Sequence, residues 1–119
     1  MTSNVSDLFY TSLSGFTAAG AQLNAAASNI ANMNSTRYKA SRANVADLPG
    51  GGVTVVSVTT DPSHGYIDEQ GNEGSNVDPA TEMVHMMQGA DLYNANGTIL
   101  RVGDRMMGTL LDIFHNDRA

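Results

Sequence analysis

Two stretches of this chain place apolar or small residues at every third or fourth position, and their length limits the fold to long paired helices. The first, residues 6–33, carries Phe9, Leu13, Phe16, Gly20, Leu23, Ala27 and Ile30. Their spacings of 4, 3, 4, 3, 4 and 3 make a heptad seam over a little more than three heptads. A helix of about 25 residues is about 38 Å long at ~1.5 Å per residue. Ser6 or Asp7 is placed to cap its start. The large seam residues are Phe9, Leu13, Phe16, Leu23 and Ile30, while glycine and alanine elsewhere let a second helix approach closely.

The second stretch, residues 77–115, opens with Asp78-Pro79, an N-cap followed by proline at the first helical position. Its seam reads Met83, Met86, Ala90, Tyr93, Gly97, Leu100, Asp104, Met107, Leu111 and Phe114, with Asp104 its one charged member. A flanking stripe of Ile99, Val102, Met106, Leu110 and Ile113 widens the apolar face toward the C-terminal end. A face that wide implies more than one packing partner. Gly89, Gly97, Gly103 and Gly108 lie inside this segment, each costing about 1 kcal/mol against alanine in a helix interior. Asn96-Gly97 read as a turn would split it in two. The seam keeps its phase across Gly97, which favours one continuous helix.

Between the helices, residues 34–76 are rich in Asn, Ser, Gly and Asp. Pro49-Gly50-Gly51-Gly52 reads as a turn. Val53–Thr60, β-branched at nearly every position, reads as a strand whose alternation slips at Val55-Val56, the mark of a bulge. Asp61-Pro62 ends it, and Tyr66–Glu69 is the expected partner strand. The expected fold is mainly α. It has long N- and C-terminal helices packed coiled-coil-like, a small β-hairpin and loop segment between them, and one unit over 1–119.

Energetics point to assembly. Burying a large apolar side chain is worth about 1.5–3 kcal/mol, whereas ordering the backbone costs about 1–2 kcal/mol for every residue. Five such side chains cannot hold the first helix alone, even with its hydrogen bonds. The second helix supplies a partner, but its face exceeds a two-helix contact. The expectation is a loose monomer that orders as subunits share their helices.

Composition removes other classes. Six Lys and Arg against twelve Asp and Glu give a net charge of −6, which disfavours nucleic acid as a partner. The chain has no cysteine, so disulfides and thiolate metal sites are excluded. His64, His85 and His115 are too scattered for a metal site. Asp68, Glu69 and Glu73 lack the order of a calcium loop, and the Gly50–Gly52 run lacks the Lys-Ser/Thr of a phosphate loop. No nucleophile, base and orienting group assemble, so the reading is of no enzyme, cofactor or small-molecule substrate. Five of the seven methionines lie in the second helix, as core filler or as an adaptable binding groove. No run approaches the ~20 apolar residues of a membrane span. Met1–Asp7 has neither the basic nor the apolar region of a secretory signal.

The stretch Leu23-Asn24-Ala25-Ala26-Ala27-Ser28-Asn29-Ile30-Ala31-Asn32, followed by Thr36-Arg37-Tyr38-Lys39, resembles the signature of bacterial flagellar rod and hook proteins. There an N-terminal helix ends in S-N-[IL]-A-N, with a Y-[KR] element a few residues on. Asn76-Val77-Asp78, Glu82-Met83-Val84, Tyr93-Asn94-Ala95-Asn96 and Met106-Met107 also follow the pattern of short rod subunits. The middle segment, from Pro49 to Asp61-Pro62, is similar to that of FlgC-type proximal-rod members. Gly65-Tyr66-Ile67 and Ser75-Asn76-Val77 stand where those members carry a longer loop with Gly-Tyr-Val and Pro-Asn-Val, and the order between differs.

The resemblance implies a structural subunit of the flagellar basal body. It implies export through the flagellar secretion apparatus without a cleaved signal, and helical polymerisation with copies of itself and other rod subunits into a drive shaft across the periplasm. The assembly residues would be Phe9, Leu13, Phe16, Leu23 and Ile30 on the first helix. Met83, Met86, Tyr93, Leu100, Met107, Leu111 and Phe114 would serve on the second. The family motif maps to Ser28, Asn29, Ile30, Ala31, Asn32, Tyr38 and Lys39. Read locally, Asn29 and Asn32 either cap the helix or bond between subunits. Tyr38 and Lys39 either dock the returning chain against a helix or lie in a solvated loop. A small adaptor or secretion-chaperone-like helical binding module is the alternative class.

Overall fold

The computed structural model describes residues 5–117. Helix α1 spans Val5–Ala31, strand β1 Ser41–Asp47, strand β2 Val53–Thr60 and helix α2 Pro79–Asn116. The protein is mainly α and elongated, about 80 × 25 × 16 Å. The start of α1 lies at the edge of the described residues, so the expected cap at Ser6 or Asp7 falls inside the helix. Its end comes at Ala31, two residues before the expected boundary.

α2 begins as its sequence dictates. The Asp78 carboxylate accepts from the Ala80 amide at 3.3 Å and from the Thr81 hydroxyl at 2.7 Å, with Pro79 next to the cap. The helix then runs unbroken through Asn96-Gly97. Gly97 sits where a Cβ would lie 3.4 Å from the Phe16 ring. Its missing side chain serves helix approach instead of a turn.

The two helices pack antiparallel by a repeated device. Phe9 faces Gly103, Phe16 faces Gly97, and Leu23 faces Gly89. A Cβ on Gly89 would meet Leu23 Cγ at 3.1 Å, and one on Gly103 would meet Phe9 Cζ at 3.2 Å. Phe16 also lies against Tyr93, ring centroids 3.9 Å apart. Large residues of α1 thus enter hollows made by the glycines of α2.

This contact corrects the expected seams. On α1 Ser12, Ala19 and Ala26 bury between the large residues, with Ala18 buried beside Ala19, so the inward spacing is 3, 4 and not 4, 3. Leu13 lies outside it, half exposed at 51%. On α2 the buried positions are Glu82, Gly89 and Gly103, each one residue before the expected Met83, Ala90 and Asp104. Met83 is 60% exposed, and Asp104 is on the surface. The physical reason is proximity: where helices approach this closely, a bulky residue enters the contact only opposite a small one, and bulky residues without such a hollow lie on its flanks.

β1 and β2 form a two-stranded antiparallel hairpin. The turn is closed by the Leu48 amide donating to Gly52 O at 2.9 Å and the Gly51 amide donating to Leu48 O at 3.1 Å. Gly50, Gly51 and Gly52 all have positive φ, a conformation open to glycine at little cost. The expected bulge is present: Asn44 pairs with Ser57 and Val45 with Val55, leaving Val56 over. The partner of β2 is corrected, however. It is Ser41–Asp47 and not Tyr66–Glu69. Ile67 instead bridges to Glu73 in a separate small loop, closed by the Asp68 carboxylate accepting from the Gln70 and Asn72 amides.

Candidate assembly interface

Asn29 is fully buried at the end of α1. Its Nδ2 donates to Ser41 O at 2.8 Å, and its Oδ1 accepts from the Ser41 amide at 2.8 Å. The Tyr38 hydroxyl donates to the same Oδ1 at 3.0 Å. The Asn29 side chain does not cap the helix: it bonds Ser41 and Tyr38 of the same chain. Its carboxamide mimics a neighbouring strand and anchors the first residue of β1 on the helix. Asn32 does terminate the helix, with Nδ2 donating to Ser28 O at 2.9 Å and Oδ1 accepting from the Ser35 hydroxyl at 3.0 Å.

Tyr38 docks on α1 through Asn29 and through the Ser28 hydroxyl at 3.2 Å. Lys39 docks on the loop and not on a helix. Its Nζ donates to Ser63 O at 2.8 Å and to Glu73 Oε1 at 2.6 Å. Glu73 Oε1 also accepts from the Gly65 amide at 3.0 Å. The Lys39 ammonium first, then this amide, hold the Glu73 carboxyl down at about 2.

Two further residues share this task. Asn76 Oδ1 accepts from the Ala40 amide at 2.7 Å, and its Nδ2 donates to Asp61 O and Ser63 O. The Arg37 amide donates to Glu73 O at 3.1 Å, with Arg37 at φ +58°. Asn76 and Glu73 stand far from the motif in sequence, and nothing in their local pattern assigns them to it. The motif is thus a junction. It ties the end of α1, the start of β1 and the lead-in to α2 into one corner.

The remaining expected residues divide by position. Phe9, Phe16, Leu23 and Tyr93 meet in the contact between helices. Ile30, Met86 and Leu100 are half-buried, and Ala31 is exposed at the helix end. Toward its C-terminal end α2 runs on past Gly103, which faces Phe9. Among the described residues a Cβ on Gly108 would meet nothing within 4 Å. There Leu110, Leu111, Ile113 and Phe114 are 45, 63, 53 and 58% exposed, with Met106 and Met107 beside them. Together they make an exposed apolar patch on the C-terminal end of α2.

The described residues thus form a helical pair with a hydrogen-bonded corner and an apolar helix end. Residues 9–39 match the family model described as flagella basal body rod protein. Residues 69–113 match the one described as flagellar basal body rod FlgEFG protein C-terminal. Together they cover more than half of the chain, and it belongs to the flagellar basal-body rod protein family. It is similar to the flagellar basal-body rod protein FlgG of Agrobacterium fabrum (strain C58), 36% identical over 61 residues. That stretch is 51% of this chain and 23% of the relative, so the chain spans less than a quarter of the relative it matches. Among the described residues, no helix is long and apolar enough to cross a membrane.

Proposed function

We propose that this chain is a non-enzymatic structural subunit of the flagellar basal-body rod. It polymerises helically through its terminal helices with copies of itself and other rod subunits into the drive shaft across the periplasm. It reaches that place through the flagellar export apparatus. Its position is that of the short FlgC-type proximal-rod members. The observation that carries the reading is the apolar end of α2, with Leu111 63% and Phe114 58% exposed. Exposed apolar surface of this kind is stabilised when a further helix covers it. Phe9, Phe16, Leu23 and Tyr93 form the contact within the subunit, and Leu13, Met83, Met107, Leu111 and Phe114 face its neighbours.

The test is composition and motility. Basal bodies purified from the cells that carry this chain are expected to contain it, and its deletion is expected to abolish swimming. Normal swimming in the deletion strain, with basal bodies of unchanged composition, rejects the reading.

A further inference from the structure

A groove runs beside α2 where α1 and the hairpin flank it. It consists of a cleft of about 570 Å³ and one of about 520 Å³ that share Gln22 and Leu92 in their walls. The first cleft is charged. Glu82 lines it although only 3% exposed. Among the described residues its carboxylate has one partner, the His85 ring at 3.7 Å. The Arg42 guanidinium is engaged with that ring, Nη1 lying 3.0 Å from Nε2 and 3.3 Å from Nδ1. Asp91 adds a second carboxylate to the wall. The other cleft is mainly apolar, with Asp47 its one charged residue.

The free end of α2 carries a stripe of matching character: Val102, Met106, Leu110 and Ile113, with Arg105 as its one charge. From Val102 to Ile113 it is about 17 Å long, and the groove from Glu82 to Asn96 is about 21 Å, at ~1.5 Å per helical residue. Resting on the rod-subunit reading above, we propose that the C-terminal end of α2 of one copy seats in this groove of the next, Arg105 meeting the exposed Asp91. The charges set the direction. With Arg105 at the acidic end, the incoming helix runs parallel to the α2 it joins. The contact is therefore head-to-tail, between two different surfaces, and such a contact propagates an open helical filament unless its rotation closes a ring.

The absence of cysteine makes the test clean. Asp91→Cys and Arg105→Cys chains are co-expressed in the native cells, basal bodies are isolated and oxidised, and the dimer is read on a non-reducing gel. A 91–105 dimer is expected, and no dimer from a Thr59→Cys and Arg105→Cys pair. In parallel, Asp91→Arg and Arg105→Asp are each expected to lower incorporation several-fold, and the double variant to restore it. Both residues are on the surface, so neither change threatens the fold. Basal bodies that contain the chain but give no 91–105 dimer and no reciprocal rescue overturn this pairing and leave the rod reading standing. Basal bodies without the chain overturn both.

Discussion

Asn29 and Ser41 exchange a reciprocal pair of hydrogen bonds, carboxamide nitrogen to carbonyl and amide to carboxamide oxygen, both at 2.8 Å. Twelve positions apart in sequence, they join the end of a helix to the start of a strand as two strands would join each other. Replacing Asn29 by Ala leaves both Ser41 backbone groups without these partners in a part-buried site, at about 1 kcal/mol for each group. Urea unfolding of Asn29→Ala should show that loss. Hydrogen exchange should show β1 opening before the helices. A variant with unchanged midpoint and unchanged protection of β1 contradicts the anchoring role.

The glycines of α2 should respond by position. Gly103→Ala places a methyl 3.2 Å from Phe9, and Gly108→Ala places one in open space. Gly108→Ala should raise stability by about 1 kcal/mol through helix propensity. Gly103→Ala should gain less or lose, because overpacking costs about 1–3 kcal/mol. Thermal melts of both variants decide, and equal gains would show that Phe9 does not bear on Gly103.

Acid should loosen the corner before the helices. The Glu73 carboxyl ionises at about 2 when folded, against 4.5 for the unperturbed group. A depressed folded value contributes stability above the unfolded one, and that contribution drains as pH falls from 4.5 toward 2. Glu73→Gln should lower stability at neutral pH and flatten its dependence across that window. Parallel pH profiles for wild type and Glu73→Gln would refute the ion pair with Lys39 as its source.

Substitutions on the two helices should separate folding from assembly. Leu111 is 63% exposed, so Leu111→Asp should leave subunit stability within about 0.5 kcal/mol yet abolish incorporation and swimming. Leu23 packs on Gly89 within the subunit. Leu23→Asp should therefore unfold the chain as well as block assembly, where the seam reading alone expects an assembly defect only. Circular dichroism of each purified variant, beside motility on soft agar, distinguishes the two effects. Swimming by the Leu111→Asp strain would remove the helix end from the interface.

Both helices, the Asp78 cap, the valine strand and its bulge were legible because each is written in neighbouring residues: a period, a proline, a slipped alternation. β1 was not, since Ser41–Asp47 has one valine and becomes a strand through a pairing with β2 and an anchor on Asn29 that no local pattern encodes. The choice of seam was hidden for a related reason. Hydropathy selects Leu13 and Met83, whereas close approach selects Ser12, Ala19, Gly89 and Gly103, and proximity is a property of two helices together. Local patterns are enough to assign the helical segments and to show that their apolar surface exceeds one mutual contact. Which face each helix buries, and the meeting of Asn29, Tyr38, Glu73 and Asn76 at one corner, follow from the packing in three dimensions, because those outcomes rest on hydrogen bonds and van der Waals contacts between residues far apart in the chain.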